Sequence, residues 1–558
     1  MACDACRKSK LRCSGGKRCR NCAKRNAVCK YSRNVIAKEI LGSNVDKVDD
    51  SLKTSRDAAA LETHAEKTTP NSDAEPTTSK AEQDISNLAG LRITRDYLNA
   101  AQPDSILRQE SWLPDTFRPW LSTCLKRYFG RFHERWPVIH APIFNENAET
   151  ALIVGTLAII GSWQDSTSES KKLALEIHKL ILQKVMEDME PYLHPDNQMD
   201  WPYKLYQVSI LNIIFAVETS FSSPLPDARR LLDRVVASFR MKEIMTYCAV
   251  ERHQQIKFPN TDLPWLRIGQ ERWKRLVDSL FKVDAYMSFV TRQDAFLNIE
   301  EIDIGIPSTF AIWNAHVYMA FYERLETEPR DRQERTLRDV ASNPPIVAPS
   351  GVLLEDMQLG LFALAGKIKY AQQSDDVEGD SSFRRQLPSL FNQLKYWKSH
   401  IDLVGDILAQ ASFDRASAGF LVRAYAGREV SPDDSESIIM GRIRSLRYRT
   451  VMLYHLLSIQ LHFKIGIYSL DWPALVQLAS VGGTVPDSKT WLASNHTQAA
   501  LRHSLAVLYE HVTMLEPLSL QADSLDPLAC LALSIARNMI KSWFACSGSL
   551  HTAHHLEV

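Results

Sequence analysis

The sequence predicts three parts: a small head with too few apolar residues for a hydrophobic core, a linker that does not fold by itself, and a large all-α body. Six of the ten cysteines lie within the first 30 residues. No Phe, Trp or Tyr occurs between Ser32 and Asp96. From about residue 88 onward, apolar side chains recur at helical spacing. A length of 558 residues also suits several domains rather than one core.

Composition excludes several classes of protein. With 45% hydrophobic and 24% charged residues, the chain is neither mostly disordered nor membrane-embedded. Its longest apolar run, Ala151 to Gly161, is about half of the roughly 20 residues that a membrane-spanning helix needs. The first residues lack the apolar stretch of a secretory signal, so we expect a reducing compartment and no membrane partner.

Charge is distributed very unevenly along the chain. The formal net charge is zero, yet residues 1–34 hold eleven Lys or Arg against one acid, Asp4. This segment therefore carries +10 and the remainder −10. A basic segment of this density is suited to binding nucleic-acid phosphates.

The cysteines of the basic segment form the unit C-x2-C-x6-C twice: Cys3, Cys6, Cys13, Cys19, Cys22 and Cys29. Its apolar side chains beyond alanine are only Met1, Leu11 and Val28, too few to offset the entropy of ordering the chain. Disulfides are not expected in a reducing compartment, whereas zinc bound by thiolates supplies about 10–16 kcal/mol to such small domains. Six thiolates complete two tetrahedral zinc sites if two of them bridge. The sequence therefore predicts a metal-stabilised head with two Zn²⁺ per chain.

This arrangement resembles the Zn2Cys6 binuclear cluster of the fungal zinc-cluster transcription regulators, and the run from Cys3 to Cys13 is very similar to that family's first half. The resemblance implies these ligand roles: Cys3 and Cys19 bridge, Cys6 and Cys13 complete one zinc, and Cys22 and Cys29 complete the other. One departure is Arg18, which stands where relatives with a loop this short usually have proline. The run Ser14-Gly15-Gly16 can supply the turn instead.

Double-stranded DNA is the partner that the charge and the resemblance imply. With six thiolates and two zinc ions included, the head carries roughly +8. In the family, a short helix after the second cysteine enters the major groove, where a lysine that matches Lys10 donates to guanine, commonly in CGG triplets. The resemblance implies phosphate or flanking-base contacts for Arg7, Lys8 and Arg12. Further candidates for backbone contacts are Lys17, Arg18, Arg20, Lys24 and Arg25.

Redox, iron–sulfur and histidine-containing zinc sites fit these cysteines less well. Redox-active dithiols would sit beside a βαβ pattern, which is absent here, and iron–sulfur ligands have different spacings. RING-like and C2H2 fingers need histidine ligands, but the first histidine in the chain is His64. The basic run can also act as a nuclear-localisation signal, with or without DNA contact.

Residues 35–87 are predicted to be a flexible acidic linker that follows the head at 1–34. Between 35 and 86 there are six Lys or Arg and eleven Asp or Glu. Apolar side chains at 4-3-4 spacing span under two heptads, whereas a convincing coiled coil needs three or four: Leu41, Val45, Val48 and Leu52. A short dimerising coiled coil and a flexible tether with a monomeric head, or with dimers formed elsewhere, both stay open.

Residues 88–558 are predicted to form one all-α domain with insertions near 325–350 and 370–385. One helical face is indicated by Leu231, Leu232, Val235, Val236 and Phe239, and another by Ile439, Ile443, Leu446, Leu453, Leu457 and Leu461. Three segments are similar to the fungal-specific transcription factor domain, also called the middle homology region: Tyr128 to Phe144, Trp265 to Ser288, and the stretch with Pro307 and Trp313. This resemblance implies a regulatory domain that binds co-regulators and sometimes a small-molecule effector.

No recognised catalytic pattern occurs in the body, since it contains neither HExxH, GxSxG, a phosphate-binding GxxxxGK[ST] nor a GxGxxG after a strand. Glu271, Arg275 and Asp284 are interpreted as structural ion-pairing groups, and His133 and His140 as buried core residues. The C-terminal tail has a metal-like composition but is interpreted as frayed: Cys546, His551, His554 and His555.

The sequence therefore predicts a nuclear, sequence-specific DNA-binding transcription regulator of RNA polymerase II genes, such as a metabolic or secondary-metabolite gene set. The alternative is a helical enzyme or metabolite-binding protein whose zinc head serves only for interaction or localisation. Activation and repression are not distinguished by these residues.

Overall fold

The computed structural model describes residues 22, 24–25, 80–100, 117–146, 149–163, 167–194, 201–219, 224–259, 263–315, 318–342, 351–378, 381–409, 415–427, 432–462, 493–518 and 526–548. Most of the predicted head and residues 35–79 of the predicted linker, with the short heptad pattern, lie outside these ranges. The same is true of His551, His554 and His555 in the C-terminal tail.

The chain divides into two compact units, Met1–Glu75 with His253–Gly269, and Pro76–Arg252 with Gln270–Val558. In the first unit, the segments that contain Gln254 and Gly269 pack closely together. A Cβ added to Gly269 would lie only 2.6 Å from Oε1 of the buried Gln254. The second unit contains most of the described residues.

The described residues form α-helices numbered here in chain order: α1 Lys80–Ala100, α2 Arg118–Arg127, α3 Ala151–Trp163, α4 Ser168–Met189, α5 Tyr203–Glu218, α6 Leu225–Met241, α7 Tyr247–Lys257, α8 Leu263–Thr291, α9 Phe310–Trp313, α10 Tyr318–Glu326, α11 Arg330–Gln333, α12 Leu337–Ser342, α13 Leu354–Glu378, α14 Ser381–Ala409, α15 Arg415–Tyr425, α16 Pro432–His462, α17 Asn495–Leu518 and α18 Pro527–Gly548. In these ranges no β-strand forms, and the only bridges are two isolated ones, Thr246 with Asp303 and Gly305 with Thr336. The prediction of a helical body is therefore confirmed. None of the described helices combines the length and apolarity needed to cross a bilayer.

The two helical faces predicted from the sequence are both buried. In α6 the five predicted apolar side chains are fully buried, and Pro226 and Asp227 lie in its first turn. The six predicted side chains of α16 are also buried. Burying each such side chain contributes about 1.5–3 kcal/mol, so these faces fix both helices in the core.

Two helices organise the packing of the second unit. Helix α4 contacts α1, α3, α5 and α6, whereas α16 contacts α13, α14, α15, α17 and α18. The part of α8 in this unit connects the two groups, because Trp273 packs on Trp201 and Tyr286 packs on Phe362 of α13, with ring centroids 5.0 and 6.2 Å apart.

Helix α1 starts inside the stretch predicted as linker. Helix α1 begins at Lys80, whereas the sequence placed the start of the body at residue 88. Trp120 of α2 holds this helix in place. Its Nε1 donates to Asn87 Oδ1 at 3.1 Å, and its indole ring lies directly against Gly90. A side chain on Gly90 would overlap that ring, so this close approach requires glycine.

The two predicted insertions also contain helix. The stretch near 325–350 includes α11 and α12 and the end of α10, and the stretch near 370–385 falls on the end of α13 and the start of α14. Where these two stretches are described, they are therefore largely helical.

Candidate metal and nucleic-acid site

Three residues of the predicted head are described: one is a buried cysteine and the other two are exposed cations. Cys22 is helical and only 2% exposed, whereas Lys24 and Arg25 are exposed. Successive residues of an α-helix are about 100° apart, so a residue two positions on lies on nearly the opposite side. Lys24 is thus directed away from the buried cysteine. A buried sulfur with cations on the outer side fits a zinc ligand next to a phosphate-binding surface.

The other predicted ligands and DNA contacts lie outside the described residues: Cys3, Cys6, Cys13, Cys19, Cys29, Lys10, Arg7, Lys8, Arg12, Lys17, Arg18 and Arg20. Their roles stay predictions. The donor set itself fits zinc, because six cysteines in a duplicated spacing supply the soft sulfur ligands that zinc prefers.

The segment that contains these residues is similar to a known protein family. Residues 1–36 match the fungal Zn(2)-Cys(6) binuclear cluster domain. This zinc-cluster domain is that of DNA-binding transcription regulators, which are not enzymes, and it covers all six cysteines. The zinc-cluster part of the predicted resemblance is therefore confirmed, and with it the expectation of zinc and DNA binding. The chain matches no curated protein and no solved structure. The resemblance of the body to the middle homology region stays a prediction.

The polar residues of α8 that were interpreted as structural lie in ion pairs and backbone contacts. Arg275 Nε is 2.9 Å from Glu271 Oε1, and its Nη2 donates to the Ser308 carbonyl at 2.6 Å. Glu271 in turn accepts from Ser308 N at 2.8 Å. Asp284 accepts from the backbone amides of Phe296 and Leu297 at 3.0 and 2.7 Å. All three groups hold loops against the helix, but only Glu271 and Arg275 do so through the ion pair that the sequence interpretation expected, whereas Asp284 binds backbone amides.

His133 and His140 are also buried as predicted. His133 Nε2 lies 3.2 Å from Asn314 Oδ1, and the ring of His140 packs edge-on against Trp313 at 4.4 Å. Burial lowers the pKa of His133 to about 3, so it is neutral at neutral pH. Burial similarly raises the pKa of the Cys124 thiol to about 12, although Arg127 opposes it, and this thiol is no nucleophile. Within the described ranges, no three His, Cys, Asp or Glu side chains converge as a metal site.

Sequence reasoning missed two groups of polar residues. One is a buried cluster around Arg332 with Glu328 and Asp356. The other is a set of four histidines that pair across α16 and α17, at 455, 462, 496 and 503. The equal spacing of seven residues in each helix was a visible signal for this set, since residues seven apart share one helix face.

We expect acid to destabilise the second unit through His133 and His178. Burial lowers the pKa of His178 to about 4, and its Nε2 donates to the Asn212 carbonyl at 2.9 Å. In the unfolded chain the histidine pKa is about 6.5, so below that pH the unfolded chain binds protons that the folded state does not bind. The free energy of unfolding is therefore highest above about pH 6.5 and decreases as the pH falls below it. At pH 5 each of the two histidines should lower the free energy of unfolding by about 2 kcal/mol.

Urea unfolding at pH 7 and pH 5, followed by tryptophan fluorescence, measures this loss. The His178→Gln variant, which cannot gain the proton, should lose about 2 kcal/mol less than the unmodified protein over the same interval. Equal losses in both proteins would contradict the assignment to His178.

Proposed function

We propose that this protein is a sequence-specific DNA-binding regulator of RNA polymerase II genes that acts in the nucleus and reads CGG-type motifs. The observation that carries the proposal is the match of residues 1–36 to the zinc-cluster domain, in a segment of charge +10. The rest of the chain carries −10, so cation density suited to DNA is concentrated in this segment.

In the proposal, the six cysteines hold two Zn²⁺, with Cys3 and Cys19 bridging. The buried position of Cys22 is compatible with this ligand set, because the sulfur of a closed zinc site is withdrawn from water. The exposed Lys24 and Arg25 are available for phosphate contacts. Duplex binding should therefore weaken with salt, with a log–log slope near −0.9 for each neutralised phosphate.

Replacing Lys10 by alanine is expected to reduce the preference for CGG by about 1–3 kcal/mol, because lysine donates to guanine O6 and N7. Binding to unrelated duplex should change little. Fluorescence anisotropy with a CGG duplex and a scrambled duplex, each at several salt concentrations, measures both quantities.

The matched control for Lys10 is Lys24→Ala, which removes an exposed cation of the same head. This variant should weaken binding to both duplexes equally and lower the salt slope by about one unit. Equal affinity of the unmodified protein for both duplexes, with no salt slope, would instead favour a helical enzyme or metabolite-binding protein with a non-DNA zinc head.

The helical body is proposed to regulate the head and to bind co-regulators, with a small-molecule effector and a homodimer as further expectations. The burial of Tyr128, Phe132, His133, Trp136 and His140, together with Trp313, supports a folded domain in this part of the body. Genome-wide footprinting of the full chain would identify the controlled gene set, for which metabolic genes are our expectation.

A further inference from the structure

Two pairs of histidines connect helices α16 and α17. His455 Nδ1 lies 3.0 Å from His503 Nδ1, and His462 Nδ1 lies 3.1 Å from His496 Nδ1. We call these the inner pair and the outer pair. The inner pair includes His455, which is 5% exposed, whereas His462 is partly exposed and His496 exposed. Only the outer pair is open to water on both sides of the contact.

The spacing of the outer pair suits a metal ion. Two nitrogen ligands in neighbouring positions around one ion, at bonds of about 2.0–2.1 Å, are themselves about 3.0–3.4 Å apart. Imidazole is a preferred ligand of zinc, nickel and copper. The same separation also fits a hydrogen bond between two neutral imidazoles, so geometry alone permits both states.

Neighbouring rings hold His462 in its orientation. The His503 ring stacks beside it with centroids 6.3 Å apart and an interplanar angle of 26°, and Phe391 of α14 lies at 5.2 Å. A ligand whose ring is already oriented loses less entropy when an ion binds. The outer pair is therefore preorganised on one of its two sides.

Charges around the histidines favour the outer pair over the inner pair. Lys398 of α14 acts on both His455 and His503, and Arg447 acts on His455. Each of these cations has a carboxylate partner, Asp402 and Glu510 respectively. For His462, burial lowers the pKa to about 4, and the neighbouring histidines 496 and 503 act in the same direction. The ring is thus neutral at neutral pH, which is the form that binds metals.

We propose that His462 and His496 form an interhelical site for one divalent transition-metal ion of the zinc class, with water in its remaining positions. The ion would join the end of α16 to the start of α17, residues 34 positions apart in the chain. Binding would then stabilise the helix pair, because a ligand that binds only the folded state adds to its stability. This site uses none of the cysteines of the head and does not depend on the proposed DNA-binding function.

The test is a Zn²⁺ titration by calorimetry of the full chain, made without a histidine tag and first loaded with zinc in the head. The unmodified protein should bind one further Zn²⁺, and its Tm should rise with Zn²⁺ concentration but not with Mg²⁺, which prefers oxygen ligands. His462→Asn and His496→Asn should each weaken this binding about tenfold or more and abolish the Tm shift. Circular dichroism verifies that both variants are folded.

Two controls make the result decisive. His511→Asn, on the same helix α17 but paired with Tyr448 at 2.9 Å, should leave the binding intact. A variant with alanine at the tail positions His551, His554 and His555 should also bind as before. Unchanged binding in both outer-pair variants, loss of binding in the tail variant, or no binding beyond the head would overturn the proposal. Elemental analysis before the titration reports on the head separately, so a failure there is distinguishable.

Discussion

Replacing Cys13 by alanine is expected to abolish sequence-specific DNA binding while the helical body stays folded. The head has almost no apolar side chains, so its fold depends on the roughly 10–16 kcal/mol that zinc binding supplies. Removing one of six thiolates leaves one zinc without its fourth ligand. Preference for a CGG duplex over a scrambled duplex should then fall by about 10³-fold or more, to the level of non-specific binding.

Fluorescence anisotropy measures the DNA preference, and elemental analysis should find less zinc per chain. Far-UV circular dichroism and the Tm should be unchanged, because the folded signal comes from helices such as α4 and α16. The matched control is Cys248→Ala, which removes an exposed thiol in α7 and should change neither zinc content nor binding. If the Cys13→Ala variant still held two zinc ions and still preferred the CGG duplex, the assignment of Cys13 as a ligand would be wrong.

Helices with a regular apolar face were predictable from the sequence, and their positions are confirmed by α6 and α16. Both faces repeat at the helical period, and the period alone determines which side chains enter the core. The start of α1 at Lys80 was not predictable in this way. The start of that helix is polar, and α1 is anchored by Trp120, which binds Asn87 from 33 positions away.

The candidate functional sites also divide into those that were predictable from the sequence and those that were not. The zinc head was identified from cysteine spacing, because ligands that are close in sequence leave a local pattern. The seven-residue spacing of the histidines was visible in each helix, but the histidine that each one meets in the other helix, and the approach of Asp356 to Arg332, were not. Their partners depend on how the helices pack, which local periodicity does not specify.

Arg332 in α11 is expected to be the residue whose loss most destabilises the described part of the body. It is 4% exposed, lies 3.3 Å from Glu328 Oε1, and pairs with Asp356. It also donates to the Pro307 carbonyl at 3.0 Å. Burial alone would lower the pKa of this guanidinium, but Asp356 and Glu328 outweigh burial and raise it. The cation therefore neutralises two buried carboxylates.

Arg332→Met should reduce the free energy of unfolding by about 3–5 kcal/mol, because it removes the ion-pair partner of the buried Glu328 and Asp356. Urea unfolding at pH 7 measures the change. The triple variant that adds Glu328→Gln and Asp356→Asn should recover much of the loss, since neutral groups can keep the backbone contacts to Thr309 and Leu353 without a buried charge. Arg234→Met, which breaks an exposed pair with Glu190, should cost less than about 1 kcal/mol. If Arg332→Met were no more destabilising than Arg234→Met, the cluster would contribute nothing beyond a surface ion pair.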